Sequence, residues 1–188
     1  MRKSKSIVTV ISIIVFLISV TLLYAFSNKS ILSDNTILIK NTEIKNNKSS
    51  DIKGKWINSD QDLSIENLKG KAVLIEFWTF ECYNCKNTLP YIKDWDAKFS
   101  SDKFQVIGIH CPEFDNERKF DNVKAAVNEL GIKYPVLIDN EFTVWDKYNV
   151  HAWPTIILLD KTGKIRYTHV GEGSYDKTEK KIIELMNE

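Results

Sequence analysis

Two cysteines separated by two residues, Cys82-Tyr83-Asn84-Cys85, are the side chains of this sequence best suited to chemistry. A thiolate is both a nucleophile and a metal ligand, so the pair suits thiol–disulfide exchange or half of a zinc site. The surrounding residues narrow the choice. Lys71 to Trp78 read KAVLIEFW, an apolar run interrupted by one acid, Glu76, which is the pattern of a strand buried on both faces. Beyond it, Leu89, Ile92, Trp95 and Phe99 recur at three- and four-residue steps and predict a helix from Cys82 to Phe99, kinked at Pro90. Cys82 therefore opens a helix directly behind a buried strand. Unpaired N–H groups and the helix dipole at such a terminus favour the thiolate and can lower a cysteine pKa from about 8.5 into roughly the 3.5–7.5 range. One helical turn brings Cys85 close enough to form a disulfide. Cys82 is then the exposed nucleophile, and Cys85 resolves the mixed disulfide. A zinc site would need further ligands, for which only the neighbours His110 and Cys111 offer themselves. A c-type haem site would need His after the motif, where Lys86 stands. A permanent structural disulfide stays open as the alternative.

Three further features bear on the pair. Glu76 is a lone acid in a buried strand, and burial costs free energy unless the carboxyl is partnered or protonated. It either serves the cysteines or pairs with a lysine at the sheet edge. Trp153-Pro154-Thr155 leads into another apolar run, and Trp153 either offers an apolar surface to a substrate or simply packs. Cys111 follows the predicted strand Phe104 to Ile109. It is either a third redox thiol or a small buried residue. His110, His151 and His169 lie too far apart for ligand spacing, so neither a metal nor another cofactor is expected.

The elements that must position these residues alternate between strand and helix. Trp56 to Asn58 and Leu63 to Ile65 are expected to form a short hairpin. Helices are expected from Asn122 to Leu130, from Glu141 to Tyr148 and from Tyr175 to Met186. Strands are expected from Tyr134 to Ile138 and from Thr155 to Leu159, the latter turning through 161–164 into Ile165 to Val170. The fold class is α/β, a central mixed sheet flanked by helices.

Ahead of this domain, residues 7–26 carry no charge, and Arg2, Lys3 and Lys5 precede them. Twenty uncharged, mostly apolar positions match a membrane span better than the shorter core of a cleaved signal peptide, and the best cleavage candidate, Leu23-Tyr24-Ala25, is poor. The expected organisation is a cytoplasmic basic end (1–6), a transmembrane signal-anchor (7–26), a polar stalk (27–53) and a folded domain (54–188). The stalk is rich in Asn, Lys, Ser and Thr, with one apolar patch at Ile37, Leu38 and Ile39 that reads as a short strand. The positive-inside rule sets the domain on the extracytoplasmic side of the cell membrane. A net charge of +1 gives no reason to expect a nucleic-acid partner. Three cysteines are too few for a disulfide scaffold.

Several motifs, taken in order, resemble the thioredoxin-fold proteins, and most closely the extracytoplasmic TlpA-like branch with its DipZ-type members. They are Glu76-Phe77-Trp78-Thr79-Phe80-Glu81-Cys82-Tyr83-Asn84-Cys85, Leu89-Pro90-Tyr91, His110-Cys111-Pro112-Glu113-Phe114, Tyr134-Pro135-Val136 and Gly171-Glu172-Gly173. The resemblance runs from about Lys55 to the C-terminus. It implies a thioredoxin-like fold and a redox-active Cys82–Cys85 disulfide. It implies that Glu76 accepts the proton of Cys85. It also implies a cis Trp153-Pro154 bond in a loop over the cysteines, where an extended substrate adds as a strand. Cys111 departs from the pattern, which has Thr there.

The sequence thus points to a membrane-anchored thiol–disulfide oxidoreductase acting on protein thiols, more as a reductase than an oxidase, supplied by a membrane electron donor. Two rivals remain. Thr79-x-x-Cys82 matches part of the signature of a thiol peroxidase, the peroxiredoxins, although the proline that precedes the threonine there is absent. A copper protein similar to the Sco family would use C-x-x-x-C plus histidine, one residue wider than the spacing here.

Overall fold

Seven consecutive residues with no exposed side chain, Ala72–Trp78, form the central strand of a six-stranded sheet. Strand β1 is Lys55–Ile57, β2 is Ala72–Trp78 and β3 is Phe104–His110. Strand β4 is Val136–Ile138, β5 is Thr155–Leu159 and β6 is Ile165–Val170. The spatial order is β1-β4-β3-β2-β5-β6. β2 pairs parallel with β3, and β3 parallel with β4, while β5 and β6 form an antiparallel hairpin beside β2. Helices α1 (Tyr83–Phe99), α2 (Phe120–Glu129), α3 (Thr143–Lys147) and α4 (Tyr175–Asn187) connect and cover the strands. The structure, a computed structural model, describes residues 54–64 and 66–188. The basic end, the signal-anchor, the stalk and its short strand lie outside the described residues. Among the described residues, no helix is long and apolar enough to cross a membrane.

Side chains alternate along a strand, so each buried strand feeds two separate cores. One core takes Ala72, Leu74 and Trp78 of β2 with Phe104 and Val106 of β3. Cys85, Leu89, Ile92 and Trp95 of α1 and Ile182 and Leu185 of α4 pack against them. The other takes Val73, Ile75 and Phe77 with Ile107, Ile109 and Cys111, under Val144 and Trp145 of α3. Each fully buried Leu, Ile or Phe contributes about 1.5–3 kcal/mol, so both faces of β2 are held firmly.

The registers converge on one sheet edge. Trp78 pairs with His110, His110 with Ile138, and Phe77 with Thr155. The C-terminal ends of β2, β3 and β4 therefore meet the start of β5, and the loops leaving them share that edge.

Three expectations are corrected. The N-terminal hairpin does not form: β1 pairs antiparallel with β4, Lys55 opposite Ile138 and Ile57 opposite Val136, and residues 62–64 are irregular. Asn58 diverts the chain, with a left-handed φ of 61° and a side-chain amide donating to the carbonyls of Ile132 (3.0 Å) and Tyr134 (3.2 Å). Ile65 of that expected hairpin is not among the described residues. β4 begins at Val136 rather than Tyr134, because Pro135 has no N–H to give the ladder, although its carbonyl accepts from Gly108 N at 2.9 Å. The third helix shrinks to Thr143–Lys147 behind Phe142, whose φ of 56° is left-handed. α1 runs through Pro90, which is exposed.

Candidate active site

The turn between β2 and α1 carries the cysteine pair. Cys82 is the N-cap of α1, with extended backbone, and its Sγ accepts from the backbone N–H of Cys85 at 3.1 Å. A sulfur at an N-cap sits where unpaired helix N–H groups stabilise negative charge. Cys82 and Cys85 are joined by a disulfide, with Cα atoms 5.3 Å apart. Cys82 is half-buried, whereas Cys85, one turn inside, is only 2% exposed. Cys82 is thus the more accessible residue of the pair. The neighbouring Tyr83 is 76% exposed, so a wide apolar ring stands beside it.

Glu76 is fully buried. Alternation puts it on the face of Leu74 and Trp78, which is the face carrying Cys85. Its Oε2 accepts the hydroxyl of Tyr134 at 2.9 Å, and Oε1 has no hydrogen-bond partner among the described residues. Burial pushes the Glu76 carboxyl up to about 7, against the lowering pull of the Tyr134 hydrogen bond. Such a group can hold or release a proton at neutral pH. The partner is therefore a tyrosine from the β4 approach and not an edge lysine. Burial and the neighbouring carboxyl hold the Tyr134 hydroxyl far above its ordinary range, so it stays a donor.

The Trp153-Pro154 bond is cis, and the Phe77–Thr155 register sets this loop beside the end of β2. Pro154 is buried, and its carbonyl accepts from Gly171 N at 2.8 Å. Trp153 is half-buried and packs on Trp145, ring centroids 4.6 Å apart. It also borders both cores.

Cys111 lies on the other face. Its backbone N–H donates to Trp78 O at 3.0 Å, yet its thiol is fully buried 3.7 Å from Asp139 Oδ2. Burial first, and then the Asp139 carboxylate, push this thiol far above the usual cysteine range. Ionisation is disfavoured there, which fits a small packed residue better than a third redox thiol.

One residue of this edge escaped the sequence reading. Glu117 is fully buried, and its carboxylate accepts the N–H of Glu81 (2.9 Å), Glu113 (2.7 Å) and Phe114 (2.9 Å) and the hydroxyl of Thr79. Burial raises its pKa, but the Thr79 hydroxyl and the three N–H groups outweigh that and leave it below the usual carboxylate range. The Thr79 hydroxyl gives its only proton to Glu117, so at 3.3 Å it accepts from His110 Nε2–H. His110 is buried, and burial lowers it to about 4, so it is neutral. Nothing in the charged run Glu113 to Lys119 signals that Glu117 turns inward.

Comparison with known proteins agrees with this geometry. The AhpC/TSA family profile matches residues 36–168. The protein DipZ of Mycobacterium tuberculosis is 36% identical over 142 residues, covering 73% of this chain and 20% of the relative. This chain thus spans about a fifth of the length of that relative. The thiol-disulfide oxidoreductase ResA of Bacillus thuringiensis is 32% identical over 129 residues, 69% of this chain and 68% of the relative. The crystal structure of a thiol-disulfide isomerase from Corynebacterium glutamicum superposes with a TM-score of 0.66 at 27% identity, covering 75% of this chain and 98% of that one.

Proposed function

This chain belongs to the AhpC/TSA family, and within it we propose a thiol–disulfide oxidoreductase of the TlpA, ResA and DsbE type, exchanging disulfides with protein thiols. The observation that carries the reading is the asymmetry of the pair. Cys82 is accessible at a helix N-cap and disulfide-bonded to Cys85, which is closed off beneath it. The relatives named for this activity support it.

In the reductive direction the reduced pair begins with a Cys82 thiolate. It attacks a substrate disulfide, forms one S–S bond and releases one substrate thiolate, which takes up a proton. The Cys85 thiol then gives its proton to Glu76, and its sulfur attacks Cys82 Sγ. The mixed bond breaks, the second substrate thiolate leaves and is protonated, and the Cys82–Cys85 disulfide returns. Two electrons have passed to the substrate, and a membrane-borne donor restores the dithiol. The Trp153-Pro154 loop, at the same sheet edge, offers backbone and an apolar ring to an extended substrate segment.

We also propose that residues 7–26 anchor the chain and leave the domain outside the cell membrane, as their length and flanking charges suggest. A peroxidase would turn the Thr79 hydroxyl toward the Cys82 sulfur, but that hydroxyl is committed to Glu117, which weighs against this rival.

The test is substrate trapping in membranes. Cys85→Ser is expected to accumulate mixed disulfides with protein thiols through Cys82, and Cys82→Ser to accumulate none. Peroxide consumption by the wild-type chain without disulfide exchange would overturn the reading. Failure of the chain to sediment with membranes, or protection of Cys82 from a membrane-impermeant thiol reagent in intact cells, would overturn the anchoring.

A further inference from the structure

Glu117 takes no part in the exchange steps above, yet its carboxylate is built into the turn that presents the nucleophile. Oε1 accepts the N–H of Glu81, the residue before Cys82, at 2.9 Å, and Oε2 accepts from Glu113 and Phe114 at 2.7 and 2.9 Å. All four partners, Thr79 included, donate, an arrangement that fits an ionised, acceptor-only carboxylate.

From this geometry we infer that Glu117 is a positioning residue that sets the redox poise of the pair, its buried negative charge opposing thiolate formation at Cys82. The inference rests on the exchange reading above. The helix N-terminus pulls the other way, favouring the thiolate. A like charge held out of water, on the N–H of the residue that precedes Cys82, is weakly screened and disfavours it.

Other ionisable groups near Cys82 act less. Glu81, Lys86, Glu113, Asp115 and Glu172 are exposed, and solvent screens them. The buried groups are His110 on β3, which stays neutral, and Glu76 on β2, which holds its proton up to about neutral pH. Disfavouring the thiolate destabilises the reduced dithiol relative to the disulfide. The pair then becomes the stronger electron donor, which is the sense a reductase needs. Thr79 has the opposite effect, since its hydroxyl offsets part of the Glu117 charge.

The experiment measures the rate of Cys82 alkylation by iodoacetamide against pH in the full chain reduced with dithiothreitol. The equilibrium of the same chain with glutathione redox buffers gives the potential. Glu117→Gln is expected to lower the Cys82 pKa by about one unit and to make the disulfide easier to reduce. Thr79→Val leaves the carboxylate less compensated and is expected to raise the Cys82 pKa. A residue that merely braced the turn would move both variants the same way.

A folded Glu117→Gln chain with wild-type pKa and potential would overturn the inference, as would two shifts of the same sign. If Glu117→Gln does not fold, Thr79→Val decides: a raised pKa upholds the inference, and an unchanged or lowered one overturns it. Alkylation needs no turnover. Absence of disulfide exchange in the wild-type chain would therefore overturn the exchange reading without touching the charge measurement.

Discussion

Cys85 and Cys111 are both buried at the same sheet edge, yet they sit in chemically opposite places. Cys85 lies on the α1 face, bonded to Cys82. Cys111 lies on the α3 face against a carboxylate, Asp139, whose Oδ2 also accepts the N–H groups of Val144 (3.0 Å) and Trp145 (2.9 Å). Burial alone therefore does not decide whether a thiol reacts. What decides it is a partner sulfur with access to solvent on one face, and a sealed apolar pocket beside a negative charge on the other.

The largest expected effects test that contrast directly. Cys82→Ser is expected to reduce disulfide exchange by at least about 10³-fold, as the loss of a covalent nucleophile does. Cys111→Val should leave the rate within about twofold, since a change far from the exchanging sulfurs removes no transition-state contact. A comparable loss from both would erase the distinction. In the reduced chain, Cys82 should label with iodoacetamide under native conditions and Cys111 only after denaturant is added. Native labelling of Cys111 at a matching rate would break the contrast in another way.

The remaining predictions sharpen it. Glu76→Gln is expected to slow release of the mixed disulfide at neutral pH by about 10–100-fold, measured by stopped-flow, because the proton acceptor of Cys85 is gone. The same substitution has a stability consequence of defined sign. The folded-state pKa of Glu76, about 7, lies above its ordinary 4.5, so between those values the folded chain holds a proton that the unfolded chain has lost. Stability therefore falls as pH rises from about 4.5 through 7, by up to about 3 kcal/mol. Glu76→Gln should stabilise the chain at pH 8.5 and change little at pH 4; equal shifts in Tm at both would remove Glu76 as the cause. On the other face, Asp139→Ala removes the acceptor for two N–H groups at the start of α3. It should cost about 1–2 kcal/mol and accelerate labelling of Cys111.

Much of this edge was legible from spacing. A period of two put Cys111 in step with Ile107 and Ile109 and out of step with His110. The same rule put Glu76 in step with Leu74 and Trp78. It could not say which face α1 would cover, and hence which buried group would lie with the cysteines. The expected N-terminal hairpin failed for a related reason. A short strand pairs with whichever edge the packed sheet leaves open, and for β1 that edge was β4. Glu117 was illegible altogether, because an acid in a charged run has the pattern of a solvated turn.

Local features were readable along the chain: a buried strand ending at Trp78, a cysteine at the start of a helix, a second one turn on, and an acid within the strand. Each follows from periodicity or backbone chemistry over a few residues. The partners of those groups come from packing between distant segments. Tyr134 reaches Glu76 across 58 positions, and Glu117 reaches Thr79 across 38. Such contacts depend on how whole elements pack, and the free energy of burying a carboxyl is set by donors that the fold brings to it from elsewhere in the chain.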